Sequence, residues 1–530
     1  MKKTTSNSIK RNLTMTLSLM MTATMLASCG SGYDGSESRK SGSYNNERTT
    51  AENYRSSNVT AGDTDGTANI GGGYNTEEYN HLTENGYKLV SDEPLSTFST
   101  DVDTASYTNV RRMINDGWEV DPDAVRTEEF INYFKYDYEK PAEGAVSINT
   151  ELSDCPWNSE AKLMLVGLQA REAKVKDVPT NLVFLIDVSG SMEDEDKLPL
   201  VQQAFSMLAE NLGADDRVSI VTYAGSDNSE EIVSALNSLS AGGSTAGAAG
   251  ITTAYKLAEE YFIEGGNNRV ILATDGDLNV GLSSEEELTD LISQKRDSGV
   301  YLSVLGFGSG NYKDNRLEAL ADNGNGNYAY IDSVDEAKRV LVTEMSGTLF
   351  TVAKDAKVQI EFNPENVSAY RLVGYENRLL NDEDFEDDTK DAGDIGSGQQ
   401  VTVLYEIVPN NGNEKSLKYQ DNESKAETNE LSGEMLTVSV RYKDPEASES
   451  KLIDKSVMCS DYTEAVSQNF AKACSAAEFA MVLRKSDYAS GLTAQGVVDY
   501  MEQNNVDNSE LFELIYKYMQ NGTGSEASYW

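Results

Sequence analysis

The stretch at 181–197, NLVFLIDVSGSMEDEDK, decides the fold. An apolar run from Leu182 to Ile186 ends abruptly in Asp187, then Ser189 and Ser191, then four consecutive acids from Glu193 to Asp196. Such a run reads as a buried strand with oxygen-bearing side chains just past its carboxyl end, the edge of an open α/β sheet where ligands bind. The spacing D-x-S-x-S alone says little, because Asp34, Ser36 and Ser38 repeat it where no strand precedes them. Context has to carry the reading.

That context is an alternation of strands and helices from Leu182 to Phe350, the signature of a parallel sheet covered by helices. The strands read as Leu182 to Ile186, Val218 to Tyr223, Val270 to Thr274, Tyr301 to Gly306 and Tyr328 to Ile331. Leu198, Val201, Phe205, Leu208 and Leu212 mark one buried helical face, and further helices are expected near 246–262, 284–297, 315–321 and 334–349. Two more segments end in oxygen donors. LSAGGSTAGAAG offers Thr245 in a Gly-rich loop opening a helix, and NRVILATDGDLNVG places Asp275 after another apolar strand.

Asp187, Ser189, Ser191, Thr245 and Asp275 together resemble, in order and setting, the five ligands of a metal-ion-dependent adhesion site in a von Willebrand factor type A domain. The resemblance implies a Rossmann-like core at 178–352 holding a divalent cation, Mg²⁺ first and Mn²⁺ or Ca²⁺ as alternatives. It also implies direct coordination by Ser189, Ser191 and Thr245, with Asp187 and Asp275 acting mostly through water. An open position on the ion would then favour a carboxylate from a protein partner. For any one segment the competing reading is a helix cap or an ordinary loop; the three in order favour the metal site.

The rest of the chain sets the frame. With 530 residues it exceeds a single core. Lys2, Lys3, Lys10 and Arg11 precede an apolar segment that ends in LASC at 26–29, which resembles a bacterial lipobox. A signal peptide at 1–28 and a lipid on Cys29 are therefore expected, tethering the chain to a membrane in the cell envelope. Residues 29–91, rich in Gly, Ser and Asn, are expected to be a flexible tether. An N-terminal region at 92–177 should contain a helix from Asp103 or Thr104 to Gly117, a second from Asp121 with Pro122 in its first turn, and two strands. After the core, a β-rich region at 353–461 and a helical tail at 462–530 complete the reading: an α/β core with α+β and β-rich flanks. Segments such as RTEEFINYF, YRLVGYENR and QQVTVLYEIVP are similar to the flanks of a bacterial exported family with a von Willebrand type A core.

Charge narrows the partners. There are 44 basic against 88 acidic side chains, a net charge of −44. Such a surface repels phosphate backbones, so nucleic acid is not expected as a partner, while cations are attracted. Glu193 to Asp196 read as a solvated loop at a helix N-terminus. Asp382, Asp384, Asp387 and Asp388 offer a second cation region, although the EF-hand spacing fails there and a solvated loop is the plainer reading. Cys474 reads as a core thiol, with a Cys459–Cys474 bridge as the alternative. The only histidine, His81, falls in the expected tether, which argues against a Ser-His-Asp triad or a His-ligated zinc, and no P-loop is present. The chain is thus read as a binding protein and not an enzyme, with an envelope scaffold carrying a structural metal, or a Mg²⁺-dependent hydrolase, as alternatives.

Overall fold

The structure is a computed structural model that describes residues 76–100, 103–172, 178–223, 232–242, 247–276, 285–344, 347, 350–410, 433–445 and 447–525. The leader, Cys29, most of the expected tether and Thr245 lie outside the described residues.

The leading flank comprises β1 (Lys88–Leu89), β2 (Leu95–Ser99), α1 (Ala105–Asp116), α2 (Thr127–Tyr133), β3 (Val146–Asp154) and β4 (Lys162–Ala170). Helix α1 follows Thr104 and stops at Gly117, whose φ of 74° is the left-handed conformation that ends helices. The helix expected from Asp121 is instead a 3₁₀ turn, Pro122–Ala124, capped by the Asp121 carboxylate and followed by the separate α2. The break has a cause at Arg126. Its backbone N–H, which a continuing helix would use, donates to Ser106 Oγ at 2.8 Å.

The core runs β5 (Thr180–Asp187), α3 (Leu198–Glu210), β6 (Arg217–Tyr223), α4 (Ile232–Ser238), α5 (Gly247–Glu260), β7 (Asn267–Thr274), α6 (Glu285–Arg296), β8 (Tyr301–Phe307), α7 (Asp314–Asn323), β9 (Tyr328–Ile331) and α8 (Val334–Lys338). Its five strands are all parallel, in the order β6-β5-β7-β8-β9. Helices on both faces bury every residue of β5 and β7, which is why these strands read as unbroken apolar runs. Val183 and Leu185 face one core cluster, while Leu182, Phe184 and Ile186 face the other, where Phe184 stacks on Phe205 of α3 at 4.3 Å. The helix expected over 334–349 is not continuous α: α8 passes into a π-helical turn at Arg339–Thr343, and 345, 346, 348 and 349 lie outside the described residues.

The trailing flank contributes β10 (Thr351–Phe362), β11 (Val367–Val373), β12 (Gly393–Gly396), β13 (Gln400–Pro409), β14 (Glu434–Lys443) and β15 (Ser450–Met458). The expected tail is three helices, Gln468–Arg484, Ala494–Gln503 and Ser509–Ser525. The two flanks share their sheets. One sheet has the order β1-β11-β13-β4-β3, and in the other, β12-β10-β14-β15, β2 also pairs with β10. Met164, Val166 and Leu168 of β4 turn inward to the second sheet, while Leu163 and Leu165 turn outward to α1, α2 and the C-terminal helices. The α/β core is thus inserted between β4 and β10. It leaves and rejoins at adjacent points, because Gly398 N donates to Arg171 O at 3.0 Å and Ser397 N to Phe350 O at 2.8 Å.

Two further expectations are corrected. The tether does not extend to 91: Thr76 N and Glu78 N donate to Gly310 O and Tyr312 O at 2.8 and 3.0 Å, and Lys313 Nζ reaches the Glu78 carboxylate at 2.8 Å. The three described cysteines are free thiols, Cys155 and Cys474 buried and Cys459 exposed, so no Cys459–Cys474 bridge forms. Cys474 instead packs with Phe470, Ala477 and Met481.

Buried cations on the flanks meet acids of the core. Arg126 contacts Asp314 at 2.6 Å and also pairs with Glu129, Arg111 contacts Asp332 at 2.6 Å and Glu336 at 3.0 Å, and Arg378 contacts Asp322 at 2.9 Å. The open edge of β9 is closed by the leading flank: Tyr328 N donates to Asp103 Oδ1 and Thr108 Oγ1 to Tyr330 O, both at 2.8 Å. Asp394 of β12 accepts from Asn325 of the core at 3.2 Å and from Asp355 N at 3.2 Å. Burial pushes its carboxyl up to about 7.

Removing one partner of such a cluster strands the others. Arg126→Met should cost about 3–5 kcal/mol, read as a lower urea midpoint. For Asp394 the folded state holds its proton more tightly than the unfolded chain, so stability should fall as pH rises from about 4 to about 7 and then level off. Comparing melting curves of wild type and Asp394→Asn between pH 4 and 8 should show a loss larger in wild type by roughly 2–4 kcal/mol, above the share that Glu129 and Glu478 give both proteins.

Candidate metal centre

The site is built at the carboxyl edge of the parallel sheet. Asp187 closes β5 and Asp275 follows β7, and because these strands are neighbours in register their ends arrive side by side. The Asp187 carboxylate joins them. Its Oδ1 accepts Ser189 N at 2.9 Å, folding the chain back over the strand end, and its Oδ2 accepts Thr274 Oγ1 at 3.1 Å. The Ser189 and Ser191 hydroxyls lie 2.9 Å apart. Asp187, Ser189 and Asp275 are buried, whereas Ser191 is exposed and marks the mouth of the site. Burial first, and the Asp275 carboxylate among the remaining causes, push the Asp187 carboxyl above its usual range.

The third segment approaches the same turn. Gly242 N donates to Val188 O at 2.8 Å, and α5 begins at Gly247. Thr245, between them, lies outside the described residues. The remaining four expected ligands are therefore grouped around one point by β5, β7 and the turn after β5.

One residue of the site escaped the sequence reading. Lys197 is 5% exposed and donates from Nζ to Ser191 O at 2.8 Å and to Asp275 Oδ2 at 3.3 Å. Its stem lies across Gly308, where a Cβ would come within 2.3 Å of Lys197 Cε. A lone lysine after four acids carries the pattern of a solvated helix start, which hid it. The acids do behave that way: Glu193, Asp194 and Glu195 are exposed, and Asp196 accepts from Ser309 Oγ at 3.3 Å.

Chemically the donor set is all oxygen, with two carboxylates and two hydroxyls on one side and an exposed mouth on the other. That matches what a hard divalent cation requires. Among the described residues no group of three or more His, Cys, Asp or Glu gathers to hold a metal. The four aspartates of the second cation region are not brought together. Asp382 accepts from Thr97, Asp384 from Asn381, Asp387 from Thr389 and Asp388 from Ser450.

Comparison with known proteins agrees with the fold. Residues 181–342 match the von Willebrand factor type A domain, residues 73–165 a von Willebrand factor model, and residues 347–520 the C-terminal model of the uncharacterized protein YfbK. The chain is 40% identical to YfbK of Escherichia coli strain K12 over 450 residues, spanning 81% of this chain and 78% of that one. This chain belongs to the YfbK family. Its similarity to the human inter-alpha-trypsin inhibitor heavy chain H3 is more local, 30% identity over 210 residues and 23% of that protein's length. Among solved structures, a von Willebrand factor type A protein from Catenulispora acidiphila aligns over 70% of this chain and 89% of its own, with 15% identity and a TM-score of 0.38. No helix among the described residues of this YfbK-family chain is long and apolar enough to cross a membrane.

The loop after β7 depends on one glycine. Gly276 has a φ of 90°, and a Cβ there would come within 2.7 Å of Lys313 N. Gly276→Ala should push the Asp275 loop off the 310–313 segment and cost about 1–3 kcal/mol, measured as a lower melting temperature.

Proposed function

We propose that this chain is a lipid-anchored, extracytoplasmic binding protein that takes a carboxylate of a protein ligand on a divalent cation held by Asp187, Ser189, Ser191, Thr245 and Asp275. The observation that carries the reading is the Asp187 carboxylate, which ties the turn after β5 to the end of β7 and sets paired serine hydroxyls beside Asp275. When bound, the cation, Mg²⁺ first, supplies a positively charged open position. The chain's own residues do the rest. Ser189 and Ser191 present neutral oxygens, so little of the ion's charge is cancelled at the mouth. Asp187 and Asp275, both buried, hold the deeper side and are fixed by the strand ends. The hydrogen bonds to Thr274 and Ser189 N keep Asp187 in one orientation before any ligand arrives.

The anchor rests on LASC at 26–29, which would place the chain on a membrane of the cell envelope through Cys29. The strongly acidic surface supports a cation-bridged contact, since a partner's carboxylate would be repelled without the ion.

Detergent-solubilised full-length protein, mixed with native envelope extract, should retain a protein partner in Mg²⁺. That partner should be lost with chelator and with Asp187→Ala. In the same preparations Mg²⁺ at 100-fold over its Kd should raise wild-type stability by about 2.7 kcal/mol and leave the variant unmoved. A partner retained equally in chelator would point to a scaffold, and Mg²⁺-dependent turnover lost in Thr245→Ala to a hydrolase.

A further inference from the structure

We infer that Lys197 is a built-in counter-cation of the metal centre, holding its two loops together without the ion and setting how weakly the ion binds. The inference rests on the metal reading above and concerns the regulation of that same site. Burying an ammonium is costly unless carboxylates and hydrogen-bond acceptors replace its water. Among the described residues Lys197 finds them at the centre, through Asp275 Oδ2 on the loop after β7 and Ser191 O on the turn after β5, while Asp194, 3.8 Å away, is largely exposed. The amine therefore bridges the same two loops that a cation would bridge. The path to it is made by the missing side chain of Gly308, whose φ of 78° and contact with the Lys197 stem leave no room for a Cβ.

The electrostatic sense follows. Two buried carboxylates, Asp187 and Asp275, lie at neighbouring strand ends, where negative charge gathers unless a cation sits beside it. Lys197 supplies one such cation through its ion pair with Asp275. A divalent ion arriving on the same carboxylates meets a neighbour that has already taken part of their field and that repels it. At separations of a few ångströms, even the dielectric constant of bulk water leaves this repulsion worth an affinity lowered on the order of ten- to a hundredfold. Lys197 then acts as a positioning residue for the loops and a brake on metal affinity, so that occupancy follows the surrounding cation concentration.

The test uses the full-length protein with Lys197→Met, which keeps the stem over Gly308, and Lys197→Gln, which keeps a donor for Ser191 O without the charge. Mn²⁺ binding is followed by electron paramagnetic resonance, Mg²⁺ binding by calorimetry, and stability by thermal melting in chelator. Both variants should melt lower than wild type in chelator and bind Mn²⁺ and Mg²⁺ at least tenfold more tightly, recovering wild-type stability at saturating ion. A variant that does not fold in chelator but refolds in saturating Mn²⁺ also supports the inference; one that stays unfolded there overturns it. Folded variants that bind the ions with unchanged or weaker affinity, beside a wild type that binds them, overturn the role of Lys197 and leave the metal reading standing. If neither wild type nor variants bind either ion, the metal reading falls and this inference with it.

Discussion

The pairing of β4 with β13 is the constraint on which the rest of the molecule depends. Lys162 to Gln169 lie antiparallel to Gln400 to Ile407 in unbroken register, with the whole α/β core in the chain between them. β2 and β10 repeat the constraint in the second sheet, where Phe98 lies opposite Val358. Neither sheet is complete until residues on both sides of the core have met. The entropic cost of closing so long a loop grows only with the logarithm of its length, and a core that folds on its own shortens the effective loop further. Because both ends of the insertion attach at Ser397 and Gly398, the sandwich sees the core as a small gap in one edge.

Once closed, that gap leaves a polar seam between the two bodies. A strongly acidic chain fills it by placing guanidinium groups from the flanks among core carboxylates, at Arg111, Arg126 and Arg378. Buried pairs of this kind add little net stability compared with apolar packing, yet losing one partner is severe, so they fix orientation more than they add strength. Glu336 of α8 belongs to this set: Arg111, Arg339 and the Tyr133 hydroxyl all engage it. The last helix of the core is consequently held by the flank residues Arg111 and Tyr133 through Glu336, and its π-helical turn begins immediately afterwards at Arg339.

Much of the core was legible because parallel strands buried on both faces leave continuous aliphatic runs: Tyr328–Ile331 and the run from Leu182 to Ile186 stand where those runs fall, the latter extended to Thr180–Asp187. Helix α4 was missed, being only seven residues long. The shared sheets left no local trace, since Leu165 and Leu404 are partners that nothing in either neighbourhood announces. The C-terminal helical pattern concealed two breaks where Lys485 and Asn505 take positive φ, a conformation those side chains adopt without a glycine to signal it. Four of the five residues expected to hold a cation, Asp187, Ser189, Ser191 and Asp275, stand where strand ends are followed by oxygen donors, and the structure brings these four to one sheet edge. Lys197 was not legible in this way, because burial of a lysine depends on a cavity made by Gly308, more than a hundred residues later.

The segment from Thr76 to Glu78 runs alongside 310–313 as a parallel bridge, and Lys313 N in turn abuts Gly276 beside Asp275. In mechanical terms this strap is where tension applied at Thr76 enters the described residues. Load would pass through its backbone bonds and the Lys313–Glu78 ion pair into the loop that backs the Asp275 turn, before reaching the sandwich. A pull at Thr76 and a displacement of the Asp275 turn therefore act on neighbouring loops of the same sheet edge, and the strap is where the two would be felt together.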